Sequence, residues 1–143
     1  MPRTMFESES IPVLANALNF AAERNKVIAN NIANIDTPGF HARDLRVDEF
    51  KKMLGRAIDD REARHPFEFR MRRTPHIAVK GGSPVFEPYS IKSDGVRRHD
   101  RNNVIIEREM SKLAKNAMYA KISQQFLVKK FRQLETAISG RVT

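Results

Sequence analysis

Apolar residues at both ends of this 143-residue chain recur in alternating steps of three and four. Near the start the series runs Ile11, Leu14, Leu18, Ala21, Asn25, Ile28, Ile32 and Ile35, and near the end Ile106, Met110, Leu113, Ala117, Ala120, Gln124, Leu127, Phe131, Leu134 and Ile138. Such spacing is a heptad seam, one apolar line along one side of a helix. It predicts a mainly α chain whose two long terminal helices pair as an antiparallel coiled coil around a short irregular, β-containing middle segment. At about 1.5 Å rise per residue the helices are roughly 38 and 50 Å long, too long for a ball of this size. Each helix in such a pair buries one seam and leaves other faces for other chains.

Local signals set the boundaries. Ser8 or Ser10 is a candidate cap for the first helix, and Pro12 suits a first turn, where its missing N–H has no intrahelical partner. Asp36, Thr37, Pro38 and Gly39 stop it: proline steers Thr37 away from helical geometry, and Pro-Gly suits the centre of a tight turn. Gly140 is a natural terminator for the second helix. The expected layout is one domain over 1–143: a flexible N-terminus over 1–10, a helix over 11–35, a turn and irregular middle over 36–102, and a helix over 103–139. Within the middle, Val47, Phe50, Met53 and Leu54 predict a short helix ending at Gly55. The prolines and Gly81-Gly82 that follow, with the alternation of Phe67, Phe69 and Met71, predict short strands and loops.

The net charge of +9 is uneven: zero over 1–35, −1 over 36–62, and +5 over each of 63–102 and 103–143. A basic surface attracts nucleic acid, anionic lipid or an acidic protein, and charge alone does not choose among them. Lys112, Lys115, Lys121, Lys129, Lys130 and Arg132 lie off the second seam, so that helix is apolar on one side and basic elsewhere.

Catalytic chemistry finds no residues to use. Cysteine is absent, which excludes disulfides and thiolate chemistry, and His41, His65, His76 and His99 are too scattered for a metal site. No glycine precedes a lysine, so no Walker-type phosphate loop exists, and Gly81-Gly82 lacks dinucleotide spacing. Asp59-Asp60 reads as solvated surface. The expectation is no enzyme, no cofactor, no metal and no small-molecule substrate. No apolar run approaches the roughly 18 residues of a membrane span, and residues 1–10 offer no apolar core for a secretory signal.

The segment Ala29-Asn30-Asn31-Ile32-Ala33-Asn34-Ile35-Asp36-Thr37-Pro38-Gly39-Phe40 is the most specific feature. Asparagine is a poor helix former, so three of them in the last turns imply side-chain bonds to a turn or to another chain. This stretch closely resembles the signature of flagellar rod and hook axial proteins, an A-N-N-I/L-A-N run followed by a T-P-G-F/Y turn. His41-Ala42-Arg43-Asp44 is similar to the K-A-R-D extension of the proximal-rod members of that family. Asn102-Asn103-Val104, Glu107-Arg108-Glu109-Met110, Leu113-Ala114 and Asn116-Ala117 are similar to their last helix. Two departures stand out: Lys121 to Gln125 replaces a more apolar, tyrosine-bearing stretch, and the middle is unusually basic.

The resemblance implies a structural subunit of the flagellar basal body rod in the periplasm. Its subunits leave the cytoplasm through the flagellar type III export gate without cleavage and stack helically beside the membrane (MS) ring. It implies as partners copies of the chain itself and other rod proteins, with no nucleic acid. Asn30, Asn31, Ile32, Asn34, Asp36, Thr37, Pro38, Gly39, Phe40, Arg43 and Asp44 become the assembly motif, and Leu14, Leu18, Ile28, Met110, Leu113, Leu127, Phe131 and Leu134 the seam. Asn25 and Gln124 are either tolerated polar positions or register-setting ones. Alternatives are another rod component, a basic nucleic-acid binder and a coiled-coil adaptor; neither of the last two explains the turn signature.

Overall fold

The computed structural model describes residues 10–63, 69–92 and 101–140. It is mainly helical, with α1 at Ser10–Ala33, β1 at Arg43–Asp44, α2 at Val47–Ala63, β2 at Ile77–Lys80, β3 at Ser83–Phe86, β4 at Tyr89–Ser90 and α3 at Ile106–Ser139. The strands form two small antiparallel pairs, β1 with β4 and β2 with β3. Residues 1–9 of the expected flexible N-terminus and Phe67 lie outside the described residues, and Ser10 is the first residue of α1.

α1 ends where the asparagines begin to bond locally. Asn34 Nδ2 donates to the Asn30 carbonyl at 2.8 Å. Thr37-Pro38-Gly39-Phe40 then closes as a β-turn: the Phe40 amide donates to the Thr37 carbonyl at 3.3 Å, and Gly39 takes φ 72° at the third position. A positive φ there belongs to a type II turn, with proline at the second position and glycine at the third.

α2 departs from expectation. It runs straight through Gly55 to Ala63 instead of ending at the glycine. An interior glycine costs a helix about 1 kcal/mol, but Phe50, Met53 and Ala57 are buried on one face across that position and hold both sides. Beyond it, β2 and β3 form a hairpin with Ile77 opposite Phe86 and Lys80 opposite Ser83. Gly81 and Gly82, at φ 58° and 80°, make its two-residue turn, the left-handed pair that matches the twist of hairpin strands.

The core joins α1 to this middle segment. Phe20 of α1 stacks on Phe50 of α2 with centroids 4.2 Å apart and planes 2° from parallel. Phe86 of β3 meets both edge-on, at 5.0 and 5.5 Å. Leu45, Met53, Ala57, Met71 and Ile77 complete the buried cluster.

α1 turns a second stripe, Ala21, Ile28 and Asn31, inward. Asn31 bonds Glu109 of α3, and Asn116 of α3 bonds the Ala21 carbonyl, so partners descend on α3 as they ascend on α1. The stripe on α3 corrects the expected seam. Buried Glu109 and Asn116 and half-buried Ile106, Leu113, Ala120, Ser123, Leu127, Lys130 and Leu134 face inward, while Met110, Ala117, Gln124, Phe131 and Ile138 are exposed. Both lines share the positions seven apart, from Ile106 to Leu134, and differ in which neighbour completes them. Hydrogen bonding decides it: Glu109 and Asn116 find buried partners on α1, so a count of apolar residues picks the wrong side. On α1, Asn25 is likewise exposed, Ile32 half-buried and Asn31 wholly buried. Asn25 and Gln124 are therefore not packed in the α1–α3 contact.

Candidate functional site: a buried polar joint

Where α1, β1 and α3 converge, polar side chains replace an apolar core. Asn31 Nδ2 donates to the Arg43 carbonyl at 2.6 Å and to Glu109 Oε2 at 2.8 Å, and Asn31 Oδ1 accepts from the Arg43 amide at 3.0 Å. One side chain thus pairs with both backbone groups of Arg43, as a neighbouring strand would, and ties that strand to α3. The other Glu109 oxygen accepts from Lys112 Nζ at 2.7 Å.

Asp44 lies beside it. Arg24 of α1 grips its carboxylate with two bonds, Nε to Oδ1 at 2.8 Å and Nη2 to Oδ2 at 2.9 Å. The Leu45 amide donates to Oδ1 at 2.8 Å, and Lys112 Nζ stands 3.7 Å from Oδ2. Two cations and two anions therefore share the joint, which meets the requirement that buried charges be paired. Burial alone would raise the Asp44 carboxyl, but the Arg24 fork, the Leu45 amide and Lys112 outweigh it and hold the group below its ordinary range. The bond to Asp44 raises the Arg24 guanidinium still further.

A second pair of amides fastens the turn. Asn102 Nδ2 reaches the carbonyls of Asn34, Ile35 and Thr37, each at 2.9 Å. Two hydrogens serve three acceptors, so one is shared. Asn102 Oδ1 accepts from the Val104 amide at 2.7 Å. Asn103 Oδ1 accepts from the Ala42 amide at 2.6 Å while its Nδ2 donates to the Ile91 carbonyl at 3.0 Å, so it braces the β1–β4 edge. These bonds satisfy turn carbonyls just beyond the stop at Ala33, while the helix-end carbonyls of Asn30, Asn31 and Ile32 accept from the amides of Asn34 and Ile35.

The expected motif residues divide into two groups. Asn31 and Asp44 are buried in the joint; Asn34, Ile32 and Phe40 are half-buried; Asn30, Asp36, Thr37, Pro38, Gly39 and Arg43 are exposed. Of the seam residues, Ile28 is buried and Leu14, Leu18, Leu113, Leu127 and Leu134 are half-buried, whereas Met110 and Phe131 are exposed. Arg24, Asn102, Asn103, Glu109, Lys112 and Asn116 were not among the expected site residues. In the sequence, Asn102, Asn103, Glu109 and Asn116 stand out only as part of the family-like stretches near the last helix, and the seven-residue spacing of Glu109 and Asn116 is a further local signal. Among the described residues no cluster of histidines and carboxylates could hold a metal ion, and no helix is long and apolar enough to cross a membrane.

α1 and the turn that follows it coincide with a known sequence family: residues 11–41 match the family described as flagella basal body rod protein. The flagellar basal body rod protein FlgB of Escherichia coli K12 is 34% identical over 108 residues, which cover 75% of this chain and 76% of that protein. The chain belongs to the FlgB family of flagellar basal body rod proteins. The FlgB of Bacillus subtilis 168 is 33% identical over 135 residues, 93% of this chain and 95% of that protein. The FlgB of Aquifex aeolicus VF5 is 30% identical over 124 residues, 87% of this chain and 88% of that protein. Within this FlgB-family chain, the matched residues 11–41 span α1 and the Pro38-Gly39 turn, and Asn31 connects them to α3.

Proposed function

We propose that the chain is a structural subunit of the proximal rod, beside the membrane ring, reached through the flagellar export gate without cleavage. In this reading α1 and α3 pair as an antiparallel coiled coil held by the polar joint. The subunits stack helically through surfaces of the terminal helices, against copies of the chain and other rod proteins. The exposed residues Asn30, Thr37, Pro38 and Gly39 are the portion of the motif that such neighbours can reach. Family membership supports the location, and the structure supplies a surface suited to assembly.

The carrying observation is on α3. Met118, Tyr119, Ile122 and Phe126 are 66, 61, 38 and 55% exposed. Met118 and Ile122 each lie two residues beyond inward-facing Asn116 and Ala120, about 200° further round the helix. Single exposed apolar residues are ordinary, but four large ones on contiguous turns mark an interaction surface.

Phe126→Glu tests this reading in motile cells whose basal bodies are imaged by cryo-electron microscopy. The variant subunit should unfold within about 0.5 kcal/mol of the parent, as surface changes usually do, while basal bodies lose rod density. Complete rods built from the variant would overturn it.

A further inference from the structure

α3 carries a charge imbalance that assembly into a rod does not use. Between Glu109 and Glu135 it has five lysines and one arginine and no carboxylate. Lys112 is engaged in the joint, against Glu109 and Asp44. Lys115, Lys121, Lys129 and Arg132 are exposed, and they surround the apolar ridge. At about 100° per residue, Met118, Ile122, Phe126 and Tyr119 follow one another round a single flank of the helix. Lys115 and Lys129 continue that flank at its two ends, and Lys121 and Arg132 border it.

A rod neighbour would cover the ridge, but lysine is among the residues that protein interfaces use least, so the ring of cations calls for a different partner. A second copy presenting the same face sets cation against cation. Nucleic acid would bring phosphates to the lysines, but it stacks its bases on aromatic rings, and half of the ridge is aliphatic. An anionic bilayer surface meets both parts. Met118, Ile122 and Phe126 enter the acyl boundary, and the Tyr119 hydroxyl stays at the headgroups. The lysine stems lie along apolar surface with their ammonium groups among the lipid phosphates. No described helix is long and apolar enough to cross a membrane, so the helix lies along the surface. We propose that this face of α3 holds the free subunit to an anionic phospholipid surface before neighbouring subunits cover it. Vesicle binding is read without rods, so its failure leaves the rod reading standing, and the reverse.

The test co-sediments the full chain with vesicles of mixed phosphatidylglycerol and phosphatidylcholine, and with vesicles of phosphatidylcholine alone. The chain should bind the mixed vesicles only, and less as salt rises. The paired substitution of Lys121→Ala with Lys129→Ala should weaken binding about tenfold or more. Ile122→Ser with Phe126→Ser should do the same through lost apolar burial. Arg56→Ala with Arg73→Ala, which removes equal charge from the middle segment, should leave binding unchanged. All six residues are exposed, so thermal melts matching the parent confirm that the fold is intact. Equal losses in the two charge variants would reduce the effect to diffuse attraction and overturn the inference. So would equal binding to neutral vesicles, or parental binding by the Ile122 and Phe126 double variant. Displacement from the vesicles by a capped acidic helical peptide, at a concentration below that of the anionic lipid, would assign the face to a protein instead.

Discussion

Asn31 and Glu109, 78 positions apart in sequence, share a hydrogen bond of 2.8 Å with both residues almost entirely shielded from solvent. Asn31 also occupies both backbone groups of Arg43, so its removal leaves three polar groups without their partner, the buried Glu109 oxygen among them. Asn31→Leu should destabilise the chain by about 2 kcal/mol or more, the cost of unsatisfied buried groups. Asn30→Ala, one residue earlier and exposed, should stay within about 0.5 kcal/mol of the parent. Urea unfolding of the two variants checks this; equal stabilities would mean that the joint does not hold the helices.

The Asp44–Arg24 pair predicts a pH dependence. Because the folded carboxyl titrates below its ordinary range, its contribution is complete above the unfolded value of about 3.9 and is lost as pH falls through the folded value. Unfolding free energy should therefore drop on acidification below about pH 4. Glu49 is likewise held below its ordinary range, by the Thr74 hydroxyl and the His76 amide, so its contribution also falls on acidification. Asp44→Asn separates them. It should cost about 3 kcal/mol at neutral pH, as when one member of a buried pair is removed, and give a flatter acid limb in urea titrations from pH 7 to 3.

Asn102 and Asn103 are adjacent yet brace different parts of the fold. Asn102→Ala frees the carbonyls of Asn34, Ile35 and Thr37 and should speed amide exchange at Thr37 and Phe40, whose bonds depend on that turn. Asn103→Ala releases the Ala42 amide and Ile91 carbonyl and should speed exchange at Ile91 instead. Swapped or identical exchange patterns would refute this division.

Phe20 connects α1 to the middle segment through its stack on Phe50 and its edge contact with Phe86. Phe20→Ala should cost about 3 to 5 kcal/mol, as for other buried phenylalanines, with the largest NMR shift changes in the β2–β3 hairpin. Thermal denaturation gives the magnitude. Changes confined to α3 would show that the ring belongs to the other contact.

The terminal helices and the Pro38-Gly39 turn are legible in sequence because their signals are local: repeated apolar spacing, and a proline and glycine with fixed dihedral preferences. Gly55 misleads because its cost is local whereas Phe50, Met53 and Ala57 gain by packing against Phe20, far off in sequence. The face of α3 misleads for a related reason. Glu109 and Asn116 look like solvent-facing residues until their partners on α1 are known, and those partners lie 78 and 95 positions away. Asn31 stands between these cases. Its poor helix propensity marks it as employed, but nothing near it in sequence names Glu109 as its partner.

α3 carries two interleaved lines, one through Glu109 and Asn116 turned toward α1 and one through Met110, Ala117, Gln124 and Phe131 turned outward. The helix is therefore legible in two registers offset by a single residue. Substitutions in the outer register change what the molecule shows to its surroundings while the inner register, and with it the shape of the subunit, stays as it was. A lineage can thus refit the outside of this strut without having to rediscover how to fold it.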